Sequence, residues 1–533
     1  IETELNKKTL NSNQVLKTND AIEIENNLNE SSDEIKIFGV YDPAKFDFNL
    51  NMWSTTSADE VRSSLKRLKK IQLSNTSNEI FEKTLLSFSY PPSGMNTEEF
   101  VDLKINWLIE NNKTELIEEF LKQNDEFVSK SRAVQYLVDE NIAKANIKNG
   151  CEKAKFIDIK IKDSYLEKFK IYCLIFNNKK SQAQLLLDLL REQNQSDKFF
   201  DDKINFLLGI SDKTSNKINQ ENLLNFYLSS VTIKDFKFVP TKNTKREIWK
   251  YLNAANLIQL EDMNDKKKLK DLEIAANSEQ IDQEIIFNIY KQIKFDLNTL
   301  INAKNNYQSL DQSDARSLIY QKYLLSEDLN SKLEYLFLLE ELFKKEKLSK
   351  VYEKFSVTEL KKIGLENIPE DYKKIAEKKI IENEEIKLGK VKYNDKVLHQ
   401  SKILKFYLEN EENKKIQKEI DKTFKKISKN RKYFYSAKDL ALVDALLKDG
   451  FKIPSNFDYD QLASKYEVPK NLIELIEKKQ NAFLVLKIIE IIGEDEPNQL
   501  DPETIYFITS LLNEMDLIKI RNKVLTSALP LRV

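Results

Sequence analysis

The chain has 533 residues, with 85 basic and 86 acidic side chains for a net charge of −1, so no global field draws it to nucleic acid or to an acidic membrane surface. Only 8 Gly, 2 Cys and 1 His are present, too few for a phosphate-cradling glycine loop or a protein-only zinc site. Hydrophobic residues make up 41% and the bulk of the chain should fold, while the prevalence of Lys over Arg, with abundant Asn and Ile, is read as AT-rich coding rather than a Lys-rich binding function.

In chain order, Ile1 in place of Met points to a processed, truncated or partial product whose leader is out of view. Residues 1–34 are predicted to be a disordered acidic linker. Residues 1–33 carry seven acidic and three basic side chains, with too few aliphatics to offset the entropy of ordering. Residues 35–56, with Gly39, Pro43 and the aromatics Phe38, Tyr41, Phe46, Phe48 and Trp53, are predicted to be an extended N-terminal cap.

From residue 57 the apolar period becomes helical, and 57–345 is predicted to be an α-helical repeat region. Over 97–110, Phe100, Leu103, Trp107 and Leu108 form one stripe, with Thr97, Glu98 and Glu99 as cap and first-turn acids. Further helices are expected over Glu115–Gln123, Ala133–Lys148, Ser164–Phe176, Ser181–Gln193, Glu221–Ser230, Lys245–Ile258, Gln280–Leu297, Ser313–Ser326 and Asn330–Lys345.

Residues 346–436 form a locally basic region. No Pro falls between Pro369 and Pro454, and two long helices are expected there, with helical periodicity over Glu370–Glu382 and the second helix over Lys396–Lys429. Residues 437–533 continue as C-terminal helical repeats: Asp439–Lys448 ended by Gly450, Asn471–Ile492 ended by Gly493, Glu503–Met515 and Asp516–Leu529. Phe483–Ile492, the most apolar run, is too short to span a bilayer and carries Lys487 and Glu490.

The pattern predicts an all-α fold. More finely, it predicts an α-solenoid of degenerate antiparallel helix pairs, a tetratricopeptide-like superhelix without a strict period. Lys180–Asn194, with Ala183, Leu187 and Leu190 on one side, resembles the second helix of a tetratricopeptide hairpin.

A second resemblance rests on short motifs. These are Phe38-Gly39-Val40-Tyr41 leading to Trp53-Ser54-Thr55, then Ser89-Tyr90-Pro91-Pro92, then Cys151 and Cys173 before Leu189-Leu190-Arg191-Glu192. Leu398-His399-Gln400-Ser401 and Leu500-Asp501-Pro502-Glu503 follow. From about residue 36 onward the chain resembles a family of exported, Ala- and Leu-rich helical proteins of alphaproteobacteria that carries no established activity. The resemblance implies an export route and a scaffold.

Chemistry-bearing groups are sparse. Gly389-Lys390 stands without the glycines of a nucleotide loop. His399 is the single imidazole available as a general base, in a stretch expected to be helical, where a structural role is the commoner one. The carboxylate pairs Glu384-Glu385 and Glu411-Glu412 lie in solvated, mixed-charge runs.

Cys151 and Cys173 are expected within bridging reach on successive helices, the first near a helix end closed by Gly150. They are either a disulfide, if the chain is exported, or two buried thiols packing as small hydrophobes. Residues 341–440 hold 27 basic against 18 acidic side chains, with Tyr433, Phe434 and Tyr435 beside Arg431 and Lys432. The cations Lys425, Lys426, Lys429, Arg431 and Lys432 form either an anionic-ligand patch or a solvated helix face.

No catalytic residue, cofactor or metal is assigned. The functional expectation is a non-catalytic helical repeat scaffold of the bacterial cell envelope, periplasmic or envelope-associated, binding a protein or peptide partner. The alternative is an intracellular adaptor holding RNA or another anionic polymer through 341–440.

Overall fold

Side-chain caps start helix after helix. Ser57 and Ser436 form reciprocal capping boxes with Glu60 and Asp439, while Asn96, Asp163 and Asp328 accept from backbone amides of the first turn. The computed structural model describes residues 36–157, 162–241, 243–257, 266–383, 390–455, 457–466 and 469–532. Among these the fold is all-α, with no β-strand and only isolated bridges such as Phe38 with Ser89 and Tyr41 with Ser87. The acidic 1–34 segment lies outside the described residues.

The helices group around three buried clusters within one unit, residues 37–533. The first contains α1 (Ala58–Leu68), α2 (Asn75–Leu86), α3 (Thr97–Glu110), α4 (Thr114–Gln123), α5 (Lys130–Ala143), α6 (Ile147–Lys153), α7 (Ser164–Phe176), α8 (Lys180–Glu192), α9 (Lys198–Leu208), α10 (Leu223–Thr232) and α11 (Arg246–Ala254). The second is built from α12 (Lys266–Asn277), α13 (Gln283–Gln292), α14 (Leu297–Ile301), α15 (Ala303–Asn306), α16 (Gln312–Leu325), α17 (Leu329–Lys345), α18 (Ser349–Ile363) and α19 (Glu370–Asn383). The last stretch holds α20 (Lys405–Glu409), α21 (Asn413–Ile427), α22 (Ala437–Lys448), α23 (Tyr459–Ala463), α24 (Lys470–Glu477), α25 (Asn481–Ile492), α26 (Pro502–Glu514) and α27 (Ile518–Ala528).

These clusters cut across the segment boundaries expected at 345 and 436. Leu484, Ile488 and Val524 complete the first cluster beside Val61 and Phe81, while the third joins Leu398–Phe457 to Ile505 and Leu525. The N-terminal and C-terminal helices therefore meet in a seam. Ser74 N donates to Gly493 O at 3.1 Å and Ala482 N to Met52 O at 3.2 Å. Glu496 accepts from Asn75 N at 2.8 Å and Thr76 Oγ1 at 2.7 Å, and Arg67 pairs with Glu490 at 3.0 Å. In a strict one-dimensional stack each unit touches only its sequence neighbours. This chain adds a contact between its first and last described helices.

Several expected helices prove to be two or more. Ala133–Lys148 breaks at Ala145 (φ 52°), Asn471–Ile492 breaks at Lys479 (φ 54°), and the long helix expected over Lys396–Lys429 is interrupted at Asn410 (φ 51°) after two 3₁₀ turns and the short α20. Gln280–Leu297 likewise divides, its chain turning extended at Ile293. At Ala145 and Lys479 the amide pairs close a Schellman-type end: Asn146 N reaches Asn141 O at 2.9 Å, and Gln480 N reaches Leu475 O at 2.9 Å. Gly450 and Gly493 end α22 and α25 as expected.

The N-terminal extended segment is pinned from beneath. A Cβ on Gly39 would lie 2.5 Å from Phe88 N, so only glycine permits this approach. Lys104, fully buried in α3, donates from Nζ to Phe38 O at 2.7 Å and Ser87 O at 2.9 Å. Burial pushes its ammonium down to about 7.

Below pH 7 both folded and unfolded chains carry this proton. Between pH 7 and the ordinary lysine range only the unfolded chain does, so folded-state stability rises with pH through that window. Urea titrations are expected to show a gain approaching about 1.4 kcal/mol per pH unit above pH 7 that is absent from Lys104→Met. Equal slopes in the two proteins would show that the ammonium stays charged in the fold.

Candidate functional site

The cysteine pair sits on α6 and α7. Cys151 and Cys173 have Cα atoms 5.3 Å apart and joined sulfurs. Gly150 does not close the helix before Cys151, as the sequence suggested. It lies inside α6, where a Cβ would stand 3.3 Å from Asn141 Cβ and 3.4 Å from Phe169, so it allows α6 to approach α5. Beside this hairpin, Tyr165 on α7 donates to Asp139 on α5, whose carboxyl is raised to about 7 by burial. Asp139 had no signal in the sequence.

The five candidate cations Lys425, Lys426, Lys429, Arg431 and Lys432 fall on the last turn of α21 and the turn that follows, all exposed. Their helix buries Ile416, Ile420, Phe424 and Ile427. The aromatic trio divides: the half-buried Tyr433 and Tyr435 pack edge to face at 5.1 Å, while Phe434 points to solvent at 78% exposure. The rest of the basic 341–440 stretch is shared between the second and third clusters.

His399 lies in a 3₁₀ turn, Leu398–Gln400, rather than in a long helix, because the chain is turned there to meet α22. Its Nδ1 is 2.7 Å from Asp439 Oδ1, and its backbone N donates to the same oxygen at 3.0 Å. Asp439 Oδ2 accepts from Tyr433 OH at 3.0 Å and Ser436 N at 2.9 Å. Burial alone would raise the Asp439 carboxyl, but the hydrogen bonds from His399 and Ser436 hold it below its ordinary value. This imidazole thus serves the N-cap of α22. Of the carboxylate pairs, Glu411 bonds Lys415 at 2.9 Å, and Glu384 and Glu385 lie outside the described residues.

A buried ionic cluster forms the heart of the second core. Arg316 and Glu273, 1% and 0% exposed, are paired in a fork, with Arg316 Nε 3.2 Å from Glu273 Oε1. Tyr290 OH and Ser313 Oγ donate to the same carboxylate, and the Arg316 guanidinium lies 5.3 Å from the centre of the Phe343 ring.

The sequence did not single out the cleft between α1, α2 and α3. It encloses about 530 Å³ over an apolar floor that includes Leu65, Leu68, Phe81, Leu103 and Trp107. Phe81 and Trp107 stack edge to face at 5.6 Å, and the Lys69–Glu110 ion pair at 2.9 Å crosses the lining. Amides from Gln72, Asn75, Asn78, Asn106 and Asn111 surround the floor, and Asn106 Oδ1 is buried without a hydrogen-bond partner. No known protein family, curated protein or solved structure matches the chain.

Two of the cleft amides are already engaged within the chain: Asn78 Nδ2 donates to Leu73 O at 2.8 Å and Asn111 Nδ2 to Trp107 O at 2.8 Å. Among the described residues no group of three or more His, Cys, Asp or Glu side chains could hold a metal ion, and no helix is long and apolar enough to cross a membrane.

Proposed function

We propose that the chain is a non-catalytic helical repeat scaffold of the bacterial cell envelope, a solenoid of degenerate antiparallel helix pairs that holds a protein or peptide partner. The observation that carries this reading is the α1–α3 cleft, an apolar trough of about 530 Å³ with five carboxamide side chains around it. Short loops between packed neighbours, as in α7 with α8 and α16 with α17, support the helix-pair architecture. The Cys151–Cys173 pairing supports an oxidising location, since such bridges persist outside reducing compartments.

The test is selection of a displayed random-peptide library on the oxidised full chain, repeated with Leu103→Asp. Selected peptides are expected to carry apolar anchors and to lose about tenfold or more of their affinity for the Leu103→Asp variant, in which a carboxylate takes the place of the half-buried leucine. Failure to enrich any peptide, or enrichment indifferent to Leu103, would overturn the reading. Alkylation of native cells before lysis checks the location: the two cysteines are expected to be protected until a reductant is added.

A further inference from the structure

The turn between α21 and α22 combines two features that helix packing does not explain. The first is charge. On the earlier part of α21, Lys415 pairs with Glu411 at 2.9 Å and Lys422 with Glu419 at 3.4 Å. Among the described residues, none of Lys425, Lys426, Lys429, Arg431 and Lys432 has a carboxylate partner. The negative end of a helix attracts cations in its last turn, which accounts for Lys425 and Lys426. Arg431 and Lys432 lie past the helix end, beyond its reach.

The second feature is Phe434, at 78% the most exposed large hydrophobic residue among those described. The turn holds it outward. Tyr433 on one side is tied through its hydroxyl to Asp439 at 3.0 Å and through its backbone N to Asn430 O at 2.9 Å. Tyr435 on the other side is seated against Phe457 at 4.8 Å. With both neighbours pinned inward, the Phe434 ring stays in solvent, and the exposed Arg431 and Lys432 precede it in the same turn.

We propose that this turn docks on an anionic phospholipid bilayer, Phe434 entering the headgroup and acyl boundary while the cations meet the phosphates. A single outward ring on a rigid turn suits insertion, and unpaired Lys and Arg are drawn to an anionic surface. Single-stranded nucleic acid would instead call for a platform of several accessible rings and more arginine forks. Here two of the three rings are turned inward, and Arg431 is the one arginine of the patch. The proposal is independent of the α1–α3 cleft and stands or falls without it.

The experiment is flotation of the full chain with vesicles of three parts phosphatidylcholine to one part phosphatidylglycerol, and with phosphatidylcholine alone. Binding is expected only to the anionic vesicles, fading as salt rises. Affinity should fall about fivefold for each cation removed in a Lys425→Gln, Lys426→Gln, Lys429→Gln series. Phe434→Ser is expected to lower affinity about tenfold at an unchanged melting temperature.

Absence of a preference for anionic vesicles, or binding untouched by both sets of substitutions, would overturn the proposal. So would polyuridylate binding that needs the three lysines, ignores Phe434 and exceeds vesicle binding, which would assign the patch to nucleic acid.

Discussion

Replacing Glu273 by Ala is expected to destabilise the folded chain by about 3–5 kcal/mol, the largest effect of any single substitution considered for this protein. The carboxylate is fully buried and takes hydrogen bonds from Arg316, Tyr290 and Ser313. Its removal leaves a guanidinium in the core with no counter-charge and two hydroxyls without their acceptor. Removing both charges together, Glu273→Met with Arg316→Met, is expected to cost far less, because the desolvation penalty disappears along with the attraction. Thermal and urea melts of the single and double variants check this. A single variant within about 1 kcal/mol of the parent would mean that water reaches the pair.

Loss of the Cys151–Cys173 bridge is expected to cost about 3 kcal/mol, from closing a loop of 22 residues in the unfolded chain. Cys151→Ser with Cys173→Ser should melt like the reduced parent, and adding reductant should leave the variant unchanged. A parent equally stable with and without reductant would show that the two sulfurs contribute only as packed hydrophobes.

The helical class was legible because cap residues and apolar stripes coincide: Ser164–Phe176 was expected and observed with the same ends. Where reading failed, the reason is physical. This glycine-poor chain places Ala145, Lys479 and Asn410 in the left-handed conformation, at a local cost of about 1–2 kcal/mol for an L-residue, and tertiary packing outweighs it. Nothing in an Ala or Lys announces such a turn, so separate helices read as one.

The site was legible only in part. The spacing of Cys151 and Cys173 puts them within reach on successive helices while leaving a bridge and two packed thiols open, and the clustering of the α21-turn cations leaves a ligand patch and a solvated face open. Phe434 could not be told from Tyr433 and Tyr435, since direction within an aromatic run depends on contacts with Asp439 and Phe457. The α1–α3 cleft was invisible for a related reason. Its lining comes from three helices, each of which looks like ordinary core when read alone, and its amides look like the Asn-rich background.

The seam has a consequence for how the protein is made. Hydrogen bonds such as Asn75 to Glu496 and Lys519 to Ala44 join residues 421 and 475 positions apart. A ribosome delivers the first of these long before the second, so the N-terminal cluster must wait, with the faces of α1 and α2 that α25 and α27 will cover still bare, until the last helices emerge. During that interval the nascent chain offers sticky helical surface to any holdase, and full protection of Val61 and Phe81 from hydrogen exchange should arrive only after synthesis is complete.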